Sequence, residues 1–261
     1  MKKTLLAVAA VVAALTAGGC AKKPTGDALA RIKARGEIVV ATEGTWSPWT
    51  FHDEADNLVG FDVEVARAIA EKLGVTATFA ETEWDGIFAG LDSGRYDITC
   101  NGVEVTDERA EKYDFSDPYG YIHTALIVRA DTTDITDFAD LNGKTTANSL
   151  GSTYAMQAER YGANVQTIDT LEETLQLVEH DRVDATLNAD VSFFDYMRVH
   201  PQKPFKIVAI SDDAAQVAIP LRKGEDTATL REAINAALAE LAADGTLSAI
   251  SERYFKADIT N

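Results

Sequence analysis

The stretch Asn101-Gly102-Val103-Glu104-Val105-Thr106-Asp107-Glu108-Arg109, continued by Tyr113-Asp114-Phe115-Ser116-Asp117-Pro118-Tyr119, organises this chain. Just before it, Tyr96, Ile98 and Cys100 alternate with polar residues, the period of a strand with one apolar face. A polar turn follows, then a short helix that carries one arginine. A strand end, a turn and a single guanidinium together suit the capture of a small anion. The planar fork of Arg109 can grip a carboxylate through two parallel hydrogen bonds while free amides of the turn face the same group. Each charge-assisted bond of this kind is worth roughly 1.5–3 kcal/mol once water is excluded.

Outward from that stretch, strands and helices alternate. Ile38, Val39 and Val40 lie in a buried strand over 37–42, and Glu43-Gly44-Thr45-Trp46-Ser47-Pro48-Trp49 is the loop at its carboxyl end, where open α/β sheets bind ligands. Phe61, Val65, Ile69 and Leu73 recur at helical spacing and Gly74 ends that helix. A strand over 76–82, a helix over 85–91 and a strand over 96–100 follow. A second complete set occupies 137–210, with strands at 144–148, 165–168, 183–188 and 205–210 and helices at 137–141, 153–161, 171–180 and 191–199. Two apolar strands bracket this set, 124–129 (TALIVR) and 216–221 (QVAIPL). After Arg222 only helix remains, with Leu230, Ile234, Leu238 and Leu241 as its apolar stripe. The pattern predicts an α/β protein with largely parallel sheets covered on both faces. The simplest topology is two lobes, the second inserted into the first, joined by the two crossing strands.

Lys2, Lys3, the apolar run from Leu5 to Leu15 and the small residues before Cys20 read as an export signal, too short for a comfortable membrane span. A cysteine directly after the small residues suggests a lipid anchor on Cys20. Residues 20–36 then serve as a tether, with a short helix beginning near Asp27. Cys100 is the only other cysteine, so the mature domain has no internal disulfide and rests on packing. Hydrophobic residues make up 46% of the chain, ordinary for a folded globular protein. A formal net charge of −18 argues against nucleic acid, which demands basic grooves.

Several strings together resemble one family. NGVEVTDERAEKYDFSDPY looks like the signature segment of the polar amino-acid family of bacterial extracellular solute-binding proteins, the receptors of ABC importers. TEGTWSPWTF, LVGFDVEVARAIAEKLG, EWDGIFAGLDSGRYD, ADLNGKT, GSTY, RVDATLNAD and LAELAADGTLSAISERYF agree with it in the right order, covering Glu37 to Phe255. The resemblance implies a type II periplasmic-binding-protein fold, two α/β lobes on two crossing hinge strands, with lobe 1 at 37–127 and 219–261 and lobe 2 at 128–218. It implies an exported amino-acid receptor, in the periplasm or on the outer face of the cell membrane. The ligand is a polar amino acid, the partners are transmembrane permease subunits, no cofactor is required, and the receptor acts as a monomer. Lipoproteins of the family usually have leucine three residues before the cysteine, where this chain has Ala17.

Site residues carry over position by position. Arg109, closing Thr106-Asp107-Glu108-Arg109, is the clamp for the α-carboxylate, against the plain alternative of a surface arginine paired with Glu108 or Glu111. Asn101 and Gly102 offer groups to the amino-acid moiety. Glu104 stands where the family has serine or threonine; it either neutralises Arg109 or binds an ammonium, and the ammonium is preferred. Ser152 and Thr153 open a helix whose positive end favours an anion, one hydroxyl being enough for the cap. Asp190 comes one position later than the family's usual ammonium-binding aspartate, so it binds the ligand after a rebuilt turn or caps the next helix. Trp46, Trp84 and Glu43 face the ligand side chain, whereas Trp49 and Phe51 read as core. These acids and aromatic faces suit a polar or cationic amino acid, or cystine.

Other signals fail. Gly143-Lys144-Thr145 has Phe138 where a phosphate loop needs its first glycine, so it is a turn into a strand. The four histidines have no metal spacing, no Gly-x-Ser-x-Gly occurs, and Cys100 reads as core. The competing class is a periplasmic enzyme on the same scaffold, such as a dehydratase. The carried-over residues account for both charges of an intact amino acid and leave no general acid.

Overall fold

The computed structural model describes residues 26–261. The export segment and Cys20 lie outside the described residues.

Lobe 1 begins with α1 (Ala28–Arg35) and β1 (Glu37–Thr42). The meander β2 (Thr45–Trp46), β3 (Thr50–His52), β4 (Leu58–Val59) leads into α2 (Phe61–Leu73), β5 (Thr76–Glu81), α3 (Trp84–Asp92), β6 (Ile98–Thr99) and α4 (Asp107–Lys112). Its sheet runs β5-β1-β6, all parallel, with Glu37 opposite Thr76 and Thr42 opposite Glu81. The β-branched run of β1 is central, which is why Ile38 and Val40 are fully buried. Gly74 closes α2 in the left-handed conformation that a Cβ disfavours.

β7 (Tyr113–Phe115) and β8 (Gly120–Ile122) carry the chain into lobe 2. There β9 (Thr124–Arg129), a 3₁₀ turn over Phe138–Leu141, β10 (Thr145–Asn148), α5 (Thr153–Arg160), β11 (Asn164–Thr167), α6 (Leu171–Glu179), β12 (Ala185–Ala189), α7 (Asp190–Val199) and β13 (Phe205–Ile210) follow in order. The sheet order is β11-β10-β12-β9-β13, with β9 alone antiparallel to its neighbours. The chain returns through β14 (Ala215–Val217) and β15 (Pro220–Arg222) to α8 (Glu225–Ala243) and α9 (Thr246–Phe255), which complete lobe 1. Leu230, Ile234, Leu238 and Leu241 of α8 are buried, as the stripe predicts.

The second set of strands and helices lies in the chain between the two parts of lobe 1, but the crossing strands differ from expectation. TALIVR does not cross: it is β9, paired on both edges inside the lobe 2 sheet and buried along most of its length. An uninterrupted apolar run needs cover on both faces, and a bare crossing strand lacks it. The crossing pair is instead β8 with β14, Gly120 opposite Val217 and Ile122 opposite Ala215. The predicted strand at 216–221 breaks at Ala218 and Ile219. Ala218 donates to the Val103 carbonyl and Ile219 to Ser116 Oγ before β15 pairs with β7. The lobe borders therefore fall near 123 and 211–214, not at 127/128 and 218/219.

Part of the segment read as a tether, 20–36, belongs to the folded lobe. Asp27 caps α1 by accepting from Ala30 N at 2.9 Å, and Ile32 on α1 is fully buried in the lobe 1 core. Arg31 holds α1 to α8 through two bonds to Asp226, at 2.8 and 2.6 Å. From Asp27 onward the chain is part of lobe 1. Ile32→Ala is expected to destabilise the domain by about 2–5 kcal/mol in urea unfolding with an unchanged slope. A change near zero would return this segment to the tether.

Candidate functional site

Arg109 sits in the first turn of α4, where Thr106 Oγ1 caps the helix by accepting from Arg109 N at 3.2 Å. The cap fixes the side chain toward the cleft instead of solvent, and Arg109 is only 8% exposed. Trp84 and Phe88, one turn apart on α3, place their rings 5.2 and 5.5 Å from the guanidinium carbon. Arg109 donates to the Glu104 carbonyl at 2.8 Å and, across the cleft, to the Gly151 carbonyl at 3.3 Å. Among the described residues no carboxylate lies within ion-pair distance of it. The surface pairing with Glu108 or Glu111 does not occur. Burial pulls the guanidinium below its ordinary range, while Glu104 nearby opposes that shift.

A cleft of about 500 Å³ opens in front of Arg109. Of the predicted residues, Glu43, Trp46, Trp84, Gly102, Glu104, Arg109, Ser152 and Thr153 line it. Glu104 is 6% exposed, and burial pushes its pKa up against the hydroxyls of Thr153 and Tyr154 and the charge of Arg109. It does not ion-pair with Arg109. Ser152 Oγ caps α5 by accepting from Ala155 N at 3.1 Å, which leaves the Thr153 hydroxyl for the cleft.

Two predicted residues lie off the wall. Asn101 is fully buried behind it, donating to Glu43 Oε2 at 2.6 Å and accepting from Glu43 N at 2.8 Å, so it positions Glu43. Asp190 is the first residue of α7 and accepts from Val191 N at 2.8 Å and His123 N at 3.3 Å, tying the helix start to the crossing strand. Asn188 occupies the wall instead, its Oδ1 accepting from Trp46 Nε1 at 3.3 Å. The reading also missed Thr45, Ser149, Tyr154, Asp169, Thr170 and Leu171. Asp169 and Asn188 follow or end parallel strands, and the rule that sites form at strand carboxyl ends would have flagged both.

Trp46 faces the cleft and stacks on fully buried Trp49, centroids 5.3 Å apart, and Trp49 Nε1 donates to Ser192 Oγ of lobe 2 at 3.0 Å. This arrangement needs Gly102, whose φ is +56° and whose Cβ would lie 2.6 Å from the Trp46 ring. Asp62 fixes that glycine: its carboxylate accepts from Gly102 N and, at 2.9 Å, from the Tyr119 hydroxyl. Asp62 is completely buried, and burial raises its pKa to about 7 against those two donors. Burial likewise raises Glu43 to about 7, with Asn101 opposing and the charge of Asp169 adding to the rise. Bonds from Trp46 to Asn188, Ser47 to Asp195 and Arg109 to Gly151 span the lobes, so the cleft is closed.

A sequence model of the bacterial extracellular solute-binding proteins, family 3, matches residues 38–257. The chain belongs to this family. The L-cystine-binding protein TcyA of Bacillus subtilis (strain 168) is 39% identical over 270 residues, covering 100% of both chains. An ancestral arginine-binding protein bound to arginine superposes with a TM-score of 0.80 at 37% identity, over 85% of this chain and 99% of that one. The L-cystine solute receptor of Neisseria gonorrhoeae, unliganded and open, gives 0.61 at 39% identity, over 91% and 100%.

The buried acid beneath the Gly102 turn makes stability depend on pH. The folded-state pKa of Asp62, about 7, lies above its ordinary value of 3.8, so folding retains this proton. The resulting stabilisation is complete below about pH 4 and is lost as pH rises through 7. Asp62→Asn matches the shape of the protonated acid and can serve both Gly102 and Tyr119. Urea midpoints measured from pH 5 to pH 8 are expected to show the variant gaining on the wild type as pH rises. A constant difference would contradict the buried-proton assignment.

Proposed function

We propose that this protein is the exported receptor of an amino-acid ABC importer, closing its lobes around a polar amino acid and presenting it to the membrane permease. One observation carries the reading. Among the described residues, Arg109 is a buried guanidinium with no ion-pair partner and Tyr154 carries a buried hydroxyl that makes no hydrogen bond of ordinary length, with the Glu104 carboxylate near it; both face the same cleft. Groups of this kind are costly to bury alone, and the group that would satisfy both is an anion. An α-carboxylate fits, held by the remaining Arg109 donors, the Tyr154 hydroxyl and Thr153 at the positive end of α5. The α-ammonium then falls to Glu104, whose carboxylate forms no ion pair with Arg109, with the Asn188 side chain lining the same cleft.

The relatives named for binding cystine or arginine support an amino acid as the cargo class. The charged groups at this end of the cleft match those of an intact amino acid, which supports a receptor over a catalyst. Delivery follows from closure: a permease that docks only the closed form reads occupancy, provided the ligand binds that form more tightly than the open one. Acylated Cys20, with the chain up to Asp27 as a short tether, would keep the monomeric receptor at the membrane.

Two variants test the carboxylate site. Arg109→Ala is expected to weaken amino-acid binding at least about 100-fold in calorimetric titration, as loss of two charge-assisted bonds implies. Tyr154→Phe is expected to lower affinity about tenfold while leaving the ligand-free domain equally stable or more so, since an unpaired buried hydroxyl is removed. Undiminished affinity in Arg109→Ala would overturn the site. Loss of apo stability in Tyr154→Phe would assign that hydroxyl a structural partner instead.

A further inference from the structure

The cleft wall carries three carboxylates, Glu43, Glu104 and Asp169, against one guanidinium. An amino acid's carboxylate and ammonium account for Arg109 and Glu104. Glu43 and Asp169 are left without a counter-charge, and they arrive from opposite lobes. Glu43 stands just beyond the carboxyl end of β1 in lobe 1, its carboxylate bonded among the described residues only to Asn101 Nδ2. Asp169 follows β11 in lobe 2, just before the Thr170 cap of α6. Its backbone is pinned, because Ser149 Oγ donates to the Asp169 carbonyl at 2.9 Å. Its carboxylate makes no hydrogen bond or ion pair among the described residues. The two acids are near enough for the charge of Asp169 to disfavour ionisation of Glu43. That the cleft is built for an occupant is marked independently by Tyr154, a residue only 8% exposed whose buried hydroxyl makes no hydrogen bond of ordinary length among the described residues, the Glu104 carboxylate being near it.

We propose that Asp169 is a specificity-determining residue that, on closure, meets Glu43 across the cleft and with it holds a second cationic nitrogen of the ligand. The proposal rests on the amino-acid receptor reading and narrows its cargo to amino acids bearing an alkylammonium or guanidinium besides the α-ammonium. Its mechanism is electrostatic gating. Closing the lobes over a neutral side chain drives two carboxylates together in a partly desolvated space, where like charges repel strongly. A cation between them turns the same approach into attraction. Selection is therefore exerted on closure, which is the state a permease would read.

The test is calorimetric titration of the refolded domain, wild type and Asp169→Asn, against L-cystine, L-ornithine, L-arginine, L-citrulline and L-glutamine. Citrulline is the near-isosteric neutral counterpart of arginine, and cystine places its second ammonium beside a second carboxylate. Wild type is expected to prefer arginine over citrulline, or cystine over glutamine, by at least tenfold. Asp169→Asn is expected to reduce that preference about tenfold by weakening only the ligands with two cationic nitrogens. Apo stability should not fall, since among the described residues the Asp169 side chain makes no hydrogen bond or ion pair and its charge opposes that of Glu43. A preference for cystine alone, or for ornithine and arginine alone, would support the proposal and identify which carrier of the second nitrogen fits. Equal loss of affinity for all ligands, or none for any, would overturn it. A wild type that binds citrulline and glutamine as well as the cations would also overturn it, yet leave the receptor reading intact. Binding of no amino acid at all would instead sink the receptor reading itself.

Discussion

The cleft depends on a guanidinium that has been taken out of water without being given an anion. Removing an ion from water costs several kcal/mol even after the protein relaxes. Two backbone carbonyls and the faces of Trp84 and Phe88 offset part of that cost for Arg109, the ring faces contributing about 0.5–2 kcal/mol each. What is missing is the strongest partner a guanidinium can have, a carboxylate in a bidentate pair. A ligand that supplies it gains the whole pairing energy in a site whose desolvation the fold has already met. Fixed geometry converts that gain into affinity, because little ordering remains to be done on binding.

The rest of lobe 1 keeps that geometry fixed. Thr106 caps the helix that aims Arg109, and Asn101 orients Glu43. Asp62 pins the Gly102 turn on which Trp46 rests. The segment bearing Glu104 bonds directly to the returning strand: Val105 donates to Gln216 and Ala218 to Val103. The binding wall and the lobe crossing are thus one hydrogen-bonded unit. Lobe 2 brings Thr153, Tyr154, Asp169 and Asn188 to the same cleft, so under the proposed function ligand contacts and closure are energetically the same event.

Much of this was legible in the sequence because periodicity reports burial. The β-branched run of β1, the fourfold recurrence in α2 and the α8 stripe all lie where they were read. Arg109 was legible because a single arginine follows a strand and a polar turn, and because Thr106-Asp107-Glu108-Arg109 matches the segment that the family places there. Other features depend on tertiary context. TALIVR is equally apolar whether it crosses between lobes or sits inside a sheet, and only its pairing on both edges decides. Positions 188 and 190 share a face while the strand lasts, but β12 ends at Ala189, and the helix that begins at Asp190 takes that carboxylate for its own amides. Tyr154 and Asp169 carry no local signal, since each matters only through what faces it across the cleft. Ile32 was hidden for a related reason, because its burial requires α8, almost two hundred residues later.

The central claim is that Arg109 and Tyr154 await a carboxylate, and chemical deletion of that group from the ligand tests it most directly. Calorimetric titration of the refolded domain would compare an amino acid that binds with its own carboxamide, such as L-arginine with L-argininamide or L-cystine with its diamide. Replacing the carboxylate by a neutral amide leaves the side chain and ammonium in place. The account predicts affinity at least about 100-fold weaker for the amide, the loss of two charge-assisted bonds. Equal affinity would contradict it and place the ligand's anchor elsewhere in the cleft.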